Sequence, residues 1–420
     1  MTAHISTLPN GLTVASLNMP GAHSVNVGVW IKAGGRDELA GENGIAHMLE
    51  HMAFKGTQRR SAKDIAVEVE SLGGYMNAHT AREETAYYIR ILPEHMPLAV
   101  DVLFDILTKS SLPDDEIERE RGVILQEIGQ SLDTPDDVVF ENFSAASYQG
   151  HNLGQSILGT AQSVSGFSRD DLQRFMTRYY GSGQMVLCAS GAISHDALLD
   201  EVQKHISSVP TAISPTRVTP QWTGGRIIET RQLEQSHVIM GLSALGATDK
   251  DRYAMMLLSS LYGGGMSSRL FQQVREERGL CYSIFSFAQM FSDAGVFGLY
   301  AGTAAEDVDE MLSLSCKALH DMKYDITDDE VERGKSQMRA GILMGQESVS
   351  GMTESMARQL LLFGNVRTAD EIAQSVSQLN KDDVVRVIER LTADTAPALS
   401  LIGPSDAVMS NDDIRQLLAS

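Results

Sequence analysis

The sequence LPDDEIERE, at residues 112–120, returns in altered form as ITDDEVERG at residues 326–334. The offset between the two copies is 326 − 112 = 214. RDDLQRF and KDDVVRV begin at Arg169 and Lys381, with an offset of 381 − 169 = 212. A nearly constant spacing between similar segments is typical of an internal duplication. The chain is therefore predicted to contain one structural unit twice.

The limits of the two copies follow from further features of the sequence. GGRDE and GATDK begin at Gly34 and Gly246, again with an offset of 246 − 34 = 212, and each half ends in an apolar run closed by glycine. A chain of 420 residues also exceeds the usual size of one domain. The segment PTAISPTRVTPQWTGG, at residues 210–225, is rich in the proline, threonine and glycine that are typical of loops. We therefore predict domains at residues 1–212 and 225–420.

Within each half, the hydrophobic pattern changes between the periods of strands and helices. SVNVGVWIKAG and ETAYYIRIL, at residues 24–34 and 84–92, have the alternation that predicts strands, and SHVIMGLSAL matches the first of them in the second half. The segments at residues 61–74, 96–110 and 114–130 have helical spacing. The predicted fold class is α+β, with two homologous α/β sandwich domains, each a sheet covered by helices, related by internal duplication.

The composition excludes several classes of function. A net charge of −21 argues against a nucleic-acid partner, because nucleic acids are bound by a basic face. No run of 18 apolar residues occurs, so no membrane span is expected. The start, MTAHISTLPNGLTV, lacks the basic and apolar regions of a signal peptide. Three scattered cysteines, an odd number, indicate a reducing compartment, and we predict a cytoplasmic protein.

The sequence GIAHMLEHMAFKG, at residues 44–56, is predicted to form a helix that Asn43 caps and the final glycine ends. His47 and His51 are four residues apart, so they lie on one face, and Glu50 shares that side. Neutral imidazoles suit zinc, and catalytic zinc usually has three protein ligands and one water. A carboxylate beside that water can take its proton. Two histidines are too few for such a site, so a third ligand is needed.

The helix predicted at residues 114–130 offers two candidates for the third ligand. Glu120 and Glu127 are seven residues apart and share one face of this helix. The alternative is that both belong to a solvated acidic surface. A purely structural zinc site would need a fourth protein ligand, and no further cysteine or histidine lies near these motifs in the sequence.

The order His47-Met-Leu-Glu50-His51, followed further along the chain by Glu127, resembles the zinc signature of the pitrilysin and mitochondrial-processing-peptidase family of zinc metallopeptidases. These enzymes have the inverted form of the His-Glu-x-x-His motif. NGIAHMLEHMAFKGT, LGGYMNAHTAREETAYY, ERERGVILQEI and GGGMSSRLFQQVREERGLCYS extend the resemblance over nearly the whole chain. The layout is that of a two-domain member of the bacterial type.

The resemblance implies a ligand set and a role for each acidic residue. It implies one zinc ion (Zn²⁺) per chain, held by His47, His51 and Glu127. It also implies that Glu50 is the general base and that Glu120 is a second acidic residue, which supports a ligand without binding the metal.

The second half is predicted to have lost this metal site. With an offset of 212, His47, Glu50 and His51 correspond to Ser259, Tyr262 and Gly263, which are not zinc ligands. With an offset of 214, Glu127 corresponds to Gly341. The glycine triplet that begins at Gly263 is not followed by Gly-Lys-Ser/Thr, so a phosphate-binding loop is not predicted.

The resemblance also implies substrate-binding residues in both halves. Around GGYMNAHTAREETAYY, the family presents a sheet edge to which an extended peptide adds. Asn77 would contact the substrate there and Glu83 would steady the site. In the second half, Arg275 would donate to a peptide carbonyl and the Tyr282 hydroxyl would support the oxyanion. The alternative for Arg275 is salt bridging within a charged helix.

The predicted function is that of a zinc-dependent endopeptidase acting on unfolded peptides or presequence-like segments. The alternative is a non-catalytic structural or partner subunit, because the family includes members that keep the scaffold and lose the ligands. We predict a homodimer, or a heterodimer with a related two-domain chain, because four-domain members place the zinc in the first domain and the arginine and tyrosine in the fourth.

Overall fold

The computed structural model describes residues 1–212, 216–393, 396–404 and 408–419. The chain forms two compact units, each of mixed α/β structure. The first unit consists of Met1–Gly129, Ser156–Arg217 and Leu343–Ala369. The second unit consists of Gln130–Gln155, Val218–Ile342 and Asp370–Ser420.

Each unit is built on one β-sheet. The strands of the first sheet are β1 (His4–Thr7), β2 (Thr13–Asn18), β3 (Val25–Ile31), β4 (Tyr75–Thr80), β5 (Thr85–Ile91) and β6 (Met185–Gly191). The strands of the second sheet are β7 (Arg226–Thr230), β8 (Ser236–Ala244), β9 (Cys281–Met290), β10 (Gly295–Thr303) and β11 (Ala398–Gly403).

The two sheets have the same topology, which supports the predicted duplication. The first has the order β1-β2-β6-β3-β5-β4, and the second has the order β7-β11-β8-β10-β9. Each sheet has one parallel pair, formed by the first and the last strand in chain order of the pattern that the two sheets share. These pairs are β2 with β6 and β7 with β11. The offsets between the first residues of these strands are 226 − 13 = 213 and 398 − 185 = 213. Strand β1 is an addition at one edge of the first sheet.

Helices cover the sheets and connect their strands. In chain order they are α1 (Ile45–Ala53), α2 (Ala62–Glu70), α3 (Met96–Thr108), α4 (Asp114–Leu132), α5 (Pro135–Ser147), α6 (Ala161–Gly166), α7 (Arg169–Tyr179), α8 (His195–Gln203), α9 (Arg252–Gly263), α10 (Val308–Asp325), α11 (Asp328–Gly345), α12 (Val349–Phe363), α13 (Ala369–Ser377), α14 (Lys381–Thr392) and α15 (Asn411–Ala419). A π-helical turn, Phe271–Glu276, follows α9.

The halves exchange one helix each. Helix α12, from the second half of the sequence, packs on β2, β3 and β6 of the first sheet. Helix α5, from the first half, packs on β7, β8 and β11 of the second. Each sheet therefore has a core on both faces. Strand β3 is buried at all seven positions and is almost entirely apolar, as expected for a strand covered on both sides.

The predicted fold class is confirmed, and the strands and helices predicted from periodicity are present. The division into residues 1–212 and 225–420 remains a proposal for the limits of the repeat, since the compact units exchange segments across it. Among the described residues, no helix is long and apolar enough to cross a membrane.

Candidate metal centre

Helix α1 places its apolar face in the core of the first unit and its polar face toward the candidate site. Ile45, Met48, Leu49 and Met52 are buried. His47 and His51 lie on the opposite side, with their ring centroids 4.7 Å apart. The four-residue spacing thus produces the neighbouring imidazoles that the sequence predicted.

The start of α1 differs from the prediction. Gly44, with φ 93°, is the N-cap residue, and Asn43 does not cap the helix. Glu38 satisfies the free backbone amides instead, because its carboxylate accepts from Gly44 N at 3.0 Å and from Ala46 N at 3.1 Å. The Asn43 side chain donates to the same carboxylate at 3.2 Å. The helix also ends before the predicted glycine, at Ala53.

Helix α4 brings the third member of the site to α1. Glu127 Oε2 lies 3.8 Å from His47 Nε2 and 3.7 Å from His51 Nε2. One ligand atom from each of these residues lies within 4.8 Å of the others. Among the residues that the structure describes, no fourth His, Cys, Asp or Glu joins this group. Two imidazoles and one carboxylate around one point are the donor set of catalytic zinc sites, so the residues fit zinc.

The surroundings of the two histidines also suit a metal. Burial, helped by the neighbouring His51, lowers the pKa of His47 to about 4, so its imidazole is neutral at pH 7. His51 Nδ1 lies 3.0 Å from Glu120 Oε2. Since an ionised carboxylate accepts, Nδ1 donates to Glu120, and Nε2 is the nitrogen on the side of Glu127.

Glu120 lies behind this centre and is not part of the metal-binding group. Its side chain is buried, and Lys55 Nζ lies 2.6 Å from its Oε1. Burial alone would raise the pKa of Glu120, but the hydrogen bonds and charges of Lys55 and His51 outweigh it and lower the pKa. Glu120 therefore stays ionised and holds the ring of His51 in orientation.

Glu50 has a different environment from both other glutamates. Thr80 Oγ1, at the end of β4, donates to Glu50 Oε2 at 2.6 Å. Burial raises the pKa of Glu50 more than its hydrogen bond with Thr80 and the nearby histidines lower it. A carboxylate with a raised pKa beside a metal-binding group is suited to general-base chemistry.

Comparison with known proteins gives two family matches along the chain. Residues 13–161 match the family described as "Insulinase (Peptidase family M16)", and residues 166–338 match "Peptidase M16 inactive domain". An uncharacterized zinc protease of Streptomyces coelicolor is 37% identical over 96% of this chain and 90% of its own length. The mitochondrial-processing peptidase subunit beta of Lentinula edodes is 36% identical over 99% of this chain and 93% of its own.

This chain belongs to peptidase family M16. A protease structure from Helicobacter pylori has a TM-score of 0.88 and 25% identity, and the match covers 96% of this chain and 99% of that one. An M16 inactive-domain structure from Pseudomonas fluorescens has a TM-score of 0.90 at 18% identity, which supports the fold alone. The predicted family is thus confirmed. With the donor set described above, the cofactor of this M16 chain is Zn²⁺.

The second unit of this M16 chain contains the counterpart of α1 without the ligands. Helix α9 carries Ser259, Tyr262 and Gly263 at the corresponding positions. The Tyr262 hydroxyl is buried and donates to Ser315 O. A Cβ atom at Gly263 would lie 2.3 Å from Ser286 N, so this position has no room for a histidine.

The structure brings Arg275 and Tyr282 together. The Arg275 guanidinium lies 4.4 Å from the centroid of the Phe271 ring and 5.2 Å from that of Tyr282. Tyr282 is 81% exposed. The alternative, a salt bridge with the adjacent Glu276, is present only at the limiting distance of 4.0 Å. Arg275 is therefore oriented mainly by two aromatic faces.

The remaining predicted residues, Asn77 and Glu83, lie in different surroundings. Asn77 is on β4, which is the edge strand of the first sheet, and its side chain donates to Tyr75 Oη at 2.8 Å. Glu83 is in the turn after β4 and forms ion pairs with Arg36 and Arg217 at 2.6 and 3.0 Å.

Three residues around the metal centre were missed by sequence reasoning. They are Glu38, Lys55 and Thr80. Lys55 follows His51 by four residues, and this spacing is the signal in the sequence that its position near His51 offered. The contacts of Glu38 and Thr80 depend on how loops and strands meet α1, and no local pattern contains that information.

Proposed function

We propose that this chain is a zinc endopeptidase that hydrolyses peptide bonds in unfolded peptides or presequence-like segments. The observation that carries this proposal is the convergence of His47, His51 and Glu127, with Glu50 beside them and outside the ligand group. Zinc held by these three residues supplies a Lewis acid that polarises a peptide carbonyl and acidifies a water molecule.

The protein side chains then carry the protons and hold the geometry. Glu50 accepts the proton of the attacking water and passes it to the leaving amine. Thr80 donates to one oxygen of Glu50 and so holds its carboxylate. Glu120 keeps His51 in the tautomer whose Nε2 is a ligand.

The substrate is proposed to bind in an extended form. Among the described strands, β4 pairs with β5 alone, so its other edge lacks a partner strand and a peptide can add there, although Ala78 N already donates to Asn77 Oδ1. Asn77 would contact that peptide. Glu83 is proposed to steady this region, and its two arginine partners support that role. Its place in the substrate-binding set stays a prediction. Arg275 would donate to a substrate carbonyl, and the Tyr282 hydroxyl would support the oxyanion.

We also propose that the protein acts as a homodimer, or as a heterodimer with a related two-domain chain, in the cytoplasm. All three cysteines are buried free thiols, which suits a reducing compartment. The mitochondrial-processing peptidase subunit among the relatives supports a two-chain enzyme.

The proposed activity is tested by metal analysis combined with a screen of fluorogenic peptides, with and without chelator. We expect zinc in the purified protein, internal cleavage of unstructured peptides, and loss of cleavage on chelation that added zinc reverses. A zinc-loaded protein that cleaves none of the peptides, alone or with its cellular partner, would support the alternative of a non-catalytic subunit.

A further inference from the structure

The turn between β4 and β5, residues 81–84, lies next to the residue that holds Glu50. Thr80 immediately precedes the turn and donates to Glu50 at 2.6 Å. The turn is closed by a hydrogen bond from Ala81 N to Glu84 O at 2.7 Å. A displacement of this turn therefore moves the Thr80 hydroxyl, and with it the carboxylate of Glu50.

Backbone contacts fix one side of the turn. Gly35 N donates to Ala81 O at 3.1 Å, and Arg36 N donates to Arg82 O at 2.7 Å. These contacts come from the loop after β3, in the same repeat as the metal centre. They hold the backbone of the turn, and the Arg36 side chain also pairs with Glu83 at 2.6 Å.

Arginines hold the two acidic side chains of the turn: Arg36 and Arg217 pair with Glu83, and Arg358 pairs with Glu84. Arg217 donates to Glu83 Oε1 at 3.0 Å and to the Glu83 carbonyl at 2.8 Å. Arg358 donates to Glu84 Oε1 at 2.6 Å. Arg217 lies in the junction after the first repeat, and Arg358 lies on α12, the helix that the second half contributes to the first sheet.

The pair of Glu84 and Arg358 is ionised and partly shielded from water. Burial alone would raise the pKa of Glu84, but His79 and Arg358 outweigh it and lower the pKa. The Glu84 side chain is 14% exposed. His79 Nε2, on β4, lies 4.0 Å from the same carboxylate oxygen, so the pair also contacts β4.

We propose that Arg358 is a positioning residue for catalysis, by which the exchanged helix α12 holds the β4–β5 turn and so fixes the Thr80–Glu50 hydrogen bond. This inference rests on the proposed function. It means that the base of the first repeat is aligned by a residue of the second. Errors of about 1 Å in the placement of reacting groups cost up to about 10²-fold in rate. Since the Glu83 contacts remain, a loss of about five- to tenfold is expected when Arg358 is removed.

The activity test compares Arg358→Met with Arg358→Lys and Glu84→Gln. Arg358→Met should lower kcat about five- to tenfold and change KM by less than about twofold, with zinc content unchanged. Arg358→Lys, which keeps the charge, should recover most of kcat. The double variant Arg358→Met/Glu84→Gln should be no slower than the slower single variant, because both remove one interaction.

Helix α12 supplies a matched control. Glu354, one helical turn before Arg358, pairs with the same guanidinium at 3.0 Å, and its substitution leaves both partners of the bond between Arg358 Nε and Glu84 in place. Glu354→Gln should therefore leave kcat at the parental value. An equal fall of kcat in Glu354→Gln and Arg358→Met would assign the effect to the helix and overturn the positioning role. Parental kcat in Arg358→Met would overturn it as well.

A second measurement does not depend on zinc or on activity. Amide hydrogen exchange of the metal-free full-length chain, read by mass spectrometry, should show faster exchange in peptides covering residues 75–90 of Arg358→Met. The same peptides of Glu354→Gln should match the parent. Unchanged exchange in Arg358→Met would contradict the anchor itself. A parental protein without peptidase activity would contradict the proposed function, and the exchange result would still decide the anchor.

Discussion

Three glutamates within one site have three different chemical environments. Glu127 is the carboxylate nearest both imidazole Nε2 atoms, Glu120 is buried between Lys55 and His51, and Glu50 is held by Thr80. The same residue type can therefore act as a ligand, as an orienting anion and as a base. Substitutions of each by glutamine remove charge with little change in volume, and they should give three distinct results.

Removal of the base should separate metal binding from turnover. Glu50 is outside the ligand group, so Glu50→Gln should retain zinc while peptide cleavage falls by about 10²-fold or more. Zinc is measured by elemental analysis and turnover with the best fluorogenic peptide. Parental turnover in a pure Glu50→Gln preparation would show that another group takes the proton.

Removal of the third ligand should affect the metal first. Glu127→Gln leaves two strong protein ligands, so both zinc content and activity should fall. Glu120→Gln should lower activity with a smaller loss of metal, because it weakens the contacts to Lys55 and His51 without removing a ligand. The two variants are compared after dialysis against dilute chelator. Equal zinc retention by Glu127→Gln and the parent would remove Glu127 from the ligand set.

The buried His47 predicts how the stability of the metal-free protein depends on pH. Its pKa is about 4 in the folded chain and about 6.5 in the unfolded chain, so only the unfolded chain takes up the proton between these values. The free energy of unfolding should therefore fall as pH decreases from about 6.5 to about 4, by up to about 3 kcal/mol. His47→Gln should lack this part of the slope in chemical denaturation. An identical pH dependence in both proteins would contradict the shift.

Among the secondary-structure elements, the sequence predicted three of the strands and four of the helices but not their packing partners. SVNVGVWIKAG forms β3 and ETAYYIRIL forms β5. An alternating pattern or a continuous apolar run predicts a strand whatever elements pack against it. The pattern of α12 shows which of its faces is apolar, but it cannot show that this face covers the sheet of the other half. The predicted cap of α1 was wrong for a similar reason. Glu38, which accepts from the backbone amides at the start of α1, lies in an adjoining loop.

The start of α1 provides a prediction about one backbone position. Gly44 has φ 93°, and a Cβ atom there would lie 2.7 Å from both Gly159 Cα and Leu158 O. Gly44→Ala should lower the melting temperature and zinc retention together. Gly41 has a similar φ of 85° but nothing within 4 Å, so Gly41→Ala isolates the cost of the backbone angle, about 1–2 kcal/mol. Equal melting temperatures for the two variants would show that the contact with residues 158–159 relaxes freely.

At the scale of the whole molecule, the sequence reveals the duplication and the loss of metal ligands from the second copy. Ser259, Tyr262 and Gly263 were assigned by the offset alone, and the structure adds that Gly263 has no space for a side chain. Chain association is a property of surfaces, which periodic patterns do not encode, so the proposed dimer requires its own test.

Complementation tests whether Arg275 acts on the metal centre of a partner chain. Glu50→Gln and Arg275→Ala chains should each be nearly inactive. After subunit exchange, about half of the dimers are mixed and each has one complete site of two, so about a quarter of parental activity should return. Mixing Glu50→Gln with Glu127→Gln is the control, because both changes lie in the first half and no complete site can form. Confirmed exchange without recovery would place both contributions within one chain.

The exchange of helices also sets an order in time during synthesis. The last strand of the first sheet ends at Gly191, but α12, which covers Trp30 and Cys188 on that sheet, ends only at Phe363. The ribosome must therefore extend the chain from Gly191 to Phe363 before this face is covered. At about 5–20 residues per second, the wait is roughly 10–30 s. The nascent first sheet is therefore a natural client for chaperones that shield apolar surfaces until translation is nearly complete.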